Sequence, residues 1–184
     1  MYEDEIKHKN YDFQGIDSEL EGKYRKNHFN GVGTIVSKLF FLFKPTKAFF
    51  GEKDFQQTQV VQKLIEIENH KTELVICPTV REKNGLAMSS RNSLLSNELR
   101  EKASIIYETL LHLKNNFKTK EFNALINECI NKIDSNNCFK TEYFEIVNSN
   151  SLKKLNSFSE KNSHRAFVSV LVDNVRLIDN ILLN

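Results

Sequence analysis

The chain has 184 residues, 40% of them hydrophobic, enough to bury a core as one domain or two small ones. Its 26 lysines and arginines face 24 acids for a formal charge of +2, and they are interspersed with those acids rather than gathered into a stripe, so nothing in the charge points to nucleic acid. No apolar run approaches the roughly 18 residues of a membrane span, and the opening MYEDEIKHKN lacks the apolar segment of a secretory signal, so the expectation is a cytoplasmic protein.

In chain order, GVGTIVSKLFFLF, residues 31–43, places Ile35, Val36, Leu39, Phe40 and Phe43 at the spacing of one helical face. That helix must stop by Lys44, because Pro45 follows. Residues 47–50 then read as a short buried strand, and residues 54–69 as a helix with Val61, Leu64 and Ile65 inward. TELVICP, residues 72–78, is rich in β-formers and closed by a proline, which makes it the next strand. Strand, helix and strand in this order form a βαβ unit of a parallel sheet, whose ligands bind beyond the carboxyl ends of the strands.

A boundary is expected near Thr79, giving domains 1–79 and 80–184. Beyond it a polar loop, residues 80–93, leads into a long helix in which Leu99, Ala103, Ile106, Leu110, Leu113 and Phe117 step by four and three, with Ser96 as its N-cap. A second helix over about residues 120–133 carries Phe122, Leu125, Ile126 and Cys129 on one side. Strands follow at residues 142–148, 166–173 and 175–183, so this part is α+β, two helices against an antiparallel sheet. Cys77, Cys129 and Cys138 are odd in number and form no C-x-x-C, which indicates neither a disulfide framework nor a metal site.

Two polar clusters follow the expected strands. In FFGEKDFQQTQVV, residues 49–61, Gly51 can let a ligand approach the backbone, Lys53 can place an ammonium on a phosphate, and a helix starting near Asp54 presents free N–H groups. The same residues admit a purely structural reading, with Asp54 and Gln57 as a capping box and Lys53 solvated. In GLAMSSRN, residues 85–92, the hydroxyls of Ser89 and Ser90 and the fork of Arg91 suit phosphate oxygens, although a serine here can also simply cap a turn.

GEKDFQQ at residues 51–57, GLAMSSRN at 85–92, EGKYRKNHFNGV at 21–32 and RLIDN at 176–180 together resemble pantothenate synthetase, the family of pantoate and β-alanine ligases. The match runs in order from about Tyr2 to the end. The resemblance implies an α/β fold: the C-terminal half of a Rossmann-type nucleotidyltransferase domain, then a small α+β domain that closes over the site. It implies ATP-dependent joining of pantoate to β-alanine through a pantoyl adenylate, releasing AMP and pyrophosphate, with a magnesium ion and a homodimer. By position, Gly51, Glu52, Lys53 and Asp54 correspond to the family's nucleotide loop and Gln57 to a glutamine that holds pantoate. Val80 and Met88, Ser89, Ser90 and Arg91 correspond to the second ATP segment, the counterpart of the mobile Lys-Met-Ser-Lys-Ser loop of the wider superfamily. Lys53, Ser89, Ser90 and Arg91 would carry the catalysis. Arg25 and His28 match a family Arg and His near the substrate, with Lys26-Asn27 standing where the family has Pro-Gly.

The family also carries earlier strands and a His-x-Gly-His loop for ATP phosphates, together with most of its magnesium ligands, and this sequence contains no His-x-Gly-His. The expectation is therefore a family member without its N-terminal part. The alternative is a catalytically incompetent fragment with only a nucleotide-binding or assembly role.

Overall fold

In the computed structural model, which describes residues 9–184, the chain divides between Cys77 and Pro78 into two compact units. The first contains α1 (Glu21–Tyr24), α2 (His28–Phe43), β1 (Lys47–Gly51), α3 (Phe55–Ile67) and β2 (Glu73–Cys77). Helix α2 buries Phe29, Gly33, Val36 and Phe40, a stripe stepping by four, three and four, against Val60, Val61, Leu64 and Ile65 of α3, with Phe13 in the same core. This corrects the expected stripe: Ile35, 100° round the helix from Val36, is 44% exposed and Phe43 is 71% exposed. Lys44 ends the helix in the left-handed region (φ 44°, ψ 52°), its N–H on the Phe40 carbonyl at 2.9 Å, and Pro45 cannot continue it.

Strands β1 and β2 pair in parallel from Lys47↔Glu73 to Gly51↔Cys77, with α3 as the crossover. Ala48, Phe50 and Leu74 pack on the helical core. β1 is not buried on both faces as expected, since Phe49, pointing the other way, is 65% exposed. The pairing brings Gly51 and Cys77 to one carboxyl edge, and a tight turn, Glu52–Asp54, leads from β1 into α3.

The second unit holds α4 (Asn97–Lys102), α5 (Ile105–Asn116), α6 (Phe122–Asp134) and an antiparallel sheet in the order β3 (Phe139–Asn148), β4 (His164–Val172), β5 (Val175–Leu182). Ser96 caps α4 as expected, its hydroxyl accepting the Leu99 N–H at 3.2 Å. The expected single long helix is broken at Ala103 and Ser104. There the bonds tighten to three residues, Ile106 N–H to Ala103 and Tyr107 N–H to Ser104, while the apolar stripe through Ile106, Leu110, Leu113 and Phe117 stays buried. That stripe and the apolar side of α6 form one core with Ala166, Val168, Val170 and Val172 of β4. β4 ends at Val172 rather than Asp173, because Asp173 (φ 43°) and Asn174 (φ 69°) are both left-handed, the two-residue turn that suits a twisted hairpin. Cys129 is buried, which pushes its thiol up to about 12; Cys77 is half-buried and Cys138 exposed. No helix of the described residues is long and apolar enough to cross a membrane.

Candidate functional site

In the first unit, Gly51 closes β1 with φ −74° and ψ 133°, a conformation open to any residue, and a Cβ built there would meet nothing within 4 Å. Among the described residues, neither backbone strain nor packing requires glycine at this edge. Lys53 follows in the turn with its side chain only 16% exposed and its ammonium 3.6 Å from the Asp54 carboxylate, so it is not the solvated residue of the structural reading. The capping box is not formed either. Asp54 sits at the N-cap of α3, but its side chain makes no capping bond, so the first turn of the helix keeps its N–H groups uncapped by that carboxylate.

The two adjacent glutamines diverge. Gln56 is buried, accepting the Glu21 N–H at 3.0 Å and donating to the carbonyls of Ile16 and Glu19 at 2.8 Å each. Gln57 is half-buried and its side chain makes no hydrogen bond among the described residues. The Gln56 bonds tie α3 to the segment that leads into Arg25 and His28. In that segment a Cβ on Gly22 would lie 1.8 Å from the Asp17 carbonyl, so only glycine fits. Arg25 approaches Glu21 at 3.9 Å, and the His28 ring lies 5.0 Å from that of Phe29. Asn27 adopts φ 60° and ψ 3°, a left-handed conformation that asparagine tolerates better than most residues.

In the second unit the Val80–Met88 stretch is a narrow hairpin. The Met88 N–H donates to the Val80 carbonyl at 2.9 Å, the Glu82 N–H to Leu86 at 2.8 Å, and Arg81 bridges Ala87. Val80 and Met88, 67% and 53% exposed, are thereby brought side by side. Ser89 caps the Ser90–Leu94 turn by accepting the Arg91 N–H at 3.2 Å, which realises the structural reading for one serine yet leaves its O–H free to donate. Ser90 and Arg91 are exposed.

Sequence reasoning missed the supports of this loop. Arg81 donates to Asp179 of β5 at 2.6 and 3.1 Å and lies 3.6 Å over the Tyr107 ring. Glu82 accepts from Asn92 at 2.6 Å and Arg100 at 2.7 Å, and the Arg100 bond holds its carboxyl below the usual range. The signal was present in part, since Arg81 and Glu82 lie in the polar loop and Asp179 in RLIDN, but partners 98 residues apart cannot be paired by inspection.

Comparison with known proteins agrees with the geometry. The pantoate-beta-alanine ligase family model matches residues 1–182. The chain is 47% identical over 184 residues to pantothenate synthetase of Christiangramia forsetii and 43% identical over 183 residues to that of Flavobacterium psychrophilum. It is covered entirely in both and spans 65% of the length of each. Among solved structures, pantothenate synthetase from Thermus thermophilus superposes with a TM-score of 0.85 at 35% identity, covering 91% of this chain and 60% of that one. Pantoate-beta-alanine ligase from Francisella tularensis, complexed with beta-gamma ATP and beta-alanine, gives 0.67 at 33% identity, covering 91% and 55%. With the βαβ rim, the serine loop and a family match running over nearly its whole length, the chain belongs to the pantoate-beta-alanine ligase family.

Proposed function

We propose that this chain carries nucleotide- and pantoate-binding parts of an enzyme that joins pantoate to β-alanine. In this reaction the pantoate carboxylate attacks the α-phosphorus of ATP, pyrophosphate leaves, and the β-alanine amine attacks the resulting mixed anhydride, expelling AMP. Lys53, Ser89, Ser90 and Arg91 are the residues that stabilise charge growing on phosphate oxygens. Gly51, Glu52, Asp54, Val80 and Met88 line the nucleotide, Gln57 holds pantoate, and Arg25 and His28 serve the substrate. The observation that carries the reading is the rim of β1. Among the described residues a Cβ on Gly51 would meet nothing within 4 Å, and Gly51 stands beside a largely buried lysine and a helix whose N-cap carboxylate makes no capping bond. The Francisella structure, complexed with beta-gamma ATP and beta-alanine on a related fold, supports the same substrates here.

The family also implies magnesium and a homodimer. The described residues gather no group of three or more His, Cys, Asp or Glu side chains, so they offer no cage for the ion, and the roles above are those of side chains alone. For the homodimer, Phe41, Leu42 and Phe43 give the first unit an exposed apolar run that a second copy would cover, which light scattering of the purified chain tests.

The exposed Phe49 on a two-stranded sheet favours a second reading, in which these 184 residues bind nucleotide without turnover. Pantoate-dependent exchange between ATP and labelled pyrophosphate separates the two. It is run on the chain alone and on the chain joined to the additional length its relatives possess. Exchange by the chain alone rejects the second reading; no exchange in either preparation rejects the first.

A further inference from the structure

RLIDN, residues 176–180, has no part in the chemistry above, yet its aspartate is among the most buried charges of the second unit. We propose that Asp179, acting through Arg81, is the positioning residue of the Val80–Arg91 loop. The proposal rests on the nucleotide reading for what the loop holds, whereas the clamp itself stands on contacts within the second unit.

Asp179 is 3% exposed. Its carboxylate accepts both arms of the Arg81 fork, at 2.6 and 3.1 Å, and the backbone N–H of Asn180 at 2.8 Å. A bidentate pair fixes direction as well as distance, so the carboxylate orients the guanidinium plane. That plane lies over the Tyr107 ring of α5, and one of its nitrogens also donates to the Gly85 carbonyl at the hairpin tip at 3.1 Å. Gly85 is adapted to this packing: its φ is +95°, and a Cβ would sit 2.8 Å from the Tyr107 ring. One cation thus joins β5, α5 and the hairpin. On the other side, Glu82 holds Asn92 and Arg100, and the Asn92 amide also donates to the Ala87 carbonyl at 3.1 Å. Ser89, Ser90 and Arg91 lie in sequence between these anchors. The order of the loop therefore comes from the sheet and helix of its own unit, before any ligand arrives.

A buried ion pair permits a clean test, because removing one partner strands a charge, whereas replacing both with apolar residues often preserves stability. Amide hydrogen exchange is measured without nucleotide in the parent, in Asp179→Asn and in the double variant Arg81→Met with Asp179→Leu, beside thermal melts. In the parent, the Glu82, Gly85 and Met88 amides, all bonded within the hairpin, should be protected. In both variants these amides should exchange about tenfold faster or more, while β3–β5 amides change less than about threefold and the double variant melts above Asp179→Asn. Loop amides unchanged in the double variant overturn the proposal. So do loop and strand amides rising together in both variants, since the pair would then support the whole unit. Titration with magnesium ATP reads the consequence where the loop amides lose their protection outright: a loop ordered about a tenth of the time binds about tenfold more weakly, because the competent fraction multiplies the affinity. Loop amides that exchange at the unprotected rate with ATP affinity unchanged also overturn the positioning role. Failure of the parent to bind ATP defeats the nucleotide reading alone, and the exchange data still decide the clamp.

Discussion

The side-chain carbonyl of Gln56 accepts the backbone N–H of Glu21 at 3.0 Å, joining residues 35 apart in sequence, while its amide nitrogen donates to Ile16 and Glu19. The side chain is buried, and it fixes the approach to Arg25 and His28. Gln56→Leu leaves buried backbone groups without partners, each costing about 1–3 kcal/mol, so a stability loss of at least about 2 kcal/mol is expected in urea titration. A loss below about 0.5 kcal/mol would mean that the segment holds its course without the amide.

Gln57, its neighbour, should behave in the opposite way. With no capping bond from the Asp54 side chain and no side-chain hydrogen bond of its own among the described residues, Gln57→Ala should change stability by less than about 0.5 kcal/mol. Pantoate affinity, followed calorimetrically, should fall. A stability loss near 1 kcal/mol with pantoate affinity unchanged would return Gln57 to the helix terminus.

These two glutamines show where sequence reading works and where it stops. Periodicity finds α3, because Val61, Leu64 and Ile65 recur at the helical period, and β-propensity finds β2. Whether a polar side chain at the start of α3 turns into the protein or away from it depends on which backbone lies alongside. The partner of Gln56 comes from residues 16–21, which carry no periodic signal. The pattern D-x-x-Q is equally blind to the Glu52–Asp54 turn that displaces Asp54 from capping geometry. Ser96 was legible because a cap and its recipient are three residues apart, whereas Arg81 and Asp179 were not, because the fold alone brings them together.

Glu68 gives the first unit an acid-sensitive joint. Burial alone would raise its pKa, but hydrogen bonds from Ser37, His70 and Lys9 outweigh burial and hold it below its usual value. Tyr11 adds a further bond at 3.1 Å. A carboxyl depressed on folding contributes stability that is complete above its unfolded value, near 4.5, and is lost as pH falls through the lower folded value. The melting temperature of the parent should therefore drop through that acid range more steeply than that of Glu68→Gln, and the two should differ most above pH 4.5. Parallel acid profiles would show that the Glu68 bonds do not depend on its charge.

Lys53 offers the sharpest test of the chemistry. Its side chain is 16% exposed, so a substitution has to keep the aliphatic stem in place, and methionine does so while removing only the ammonium. The neighbouring Asp54 is half-exposed, and the loss of a pair with such a group costs at most about 1 kcal/mol, so Lys53→Met should melt close to the parent. If the ammonium meets charge developing on the α-phosphate, its loss should remove about 2.7–4 kcal/mol of transition-state stabilisation, roughly a hundred- to a thousand-fold in rate, as for a single oxyanion donor. Lys53→Arg should rescue poorly, because the guanidinium is planar and larger and spreads its charge across a fork where a compact ammonium fits. The assay is pantoate-dependent pyrophosphate exchange in whichever preparation turns over, the chain alone or the chain joined to the further length of its relatives, with melts of both variants. Exchange within about threefold of the parent at an unchanged melt would leave Lys53 as a space-filling residue whose charge serves the fold, and the rim of β1 would then owe its polar character to folding rather than to phosphate.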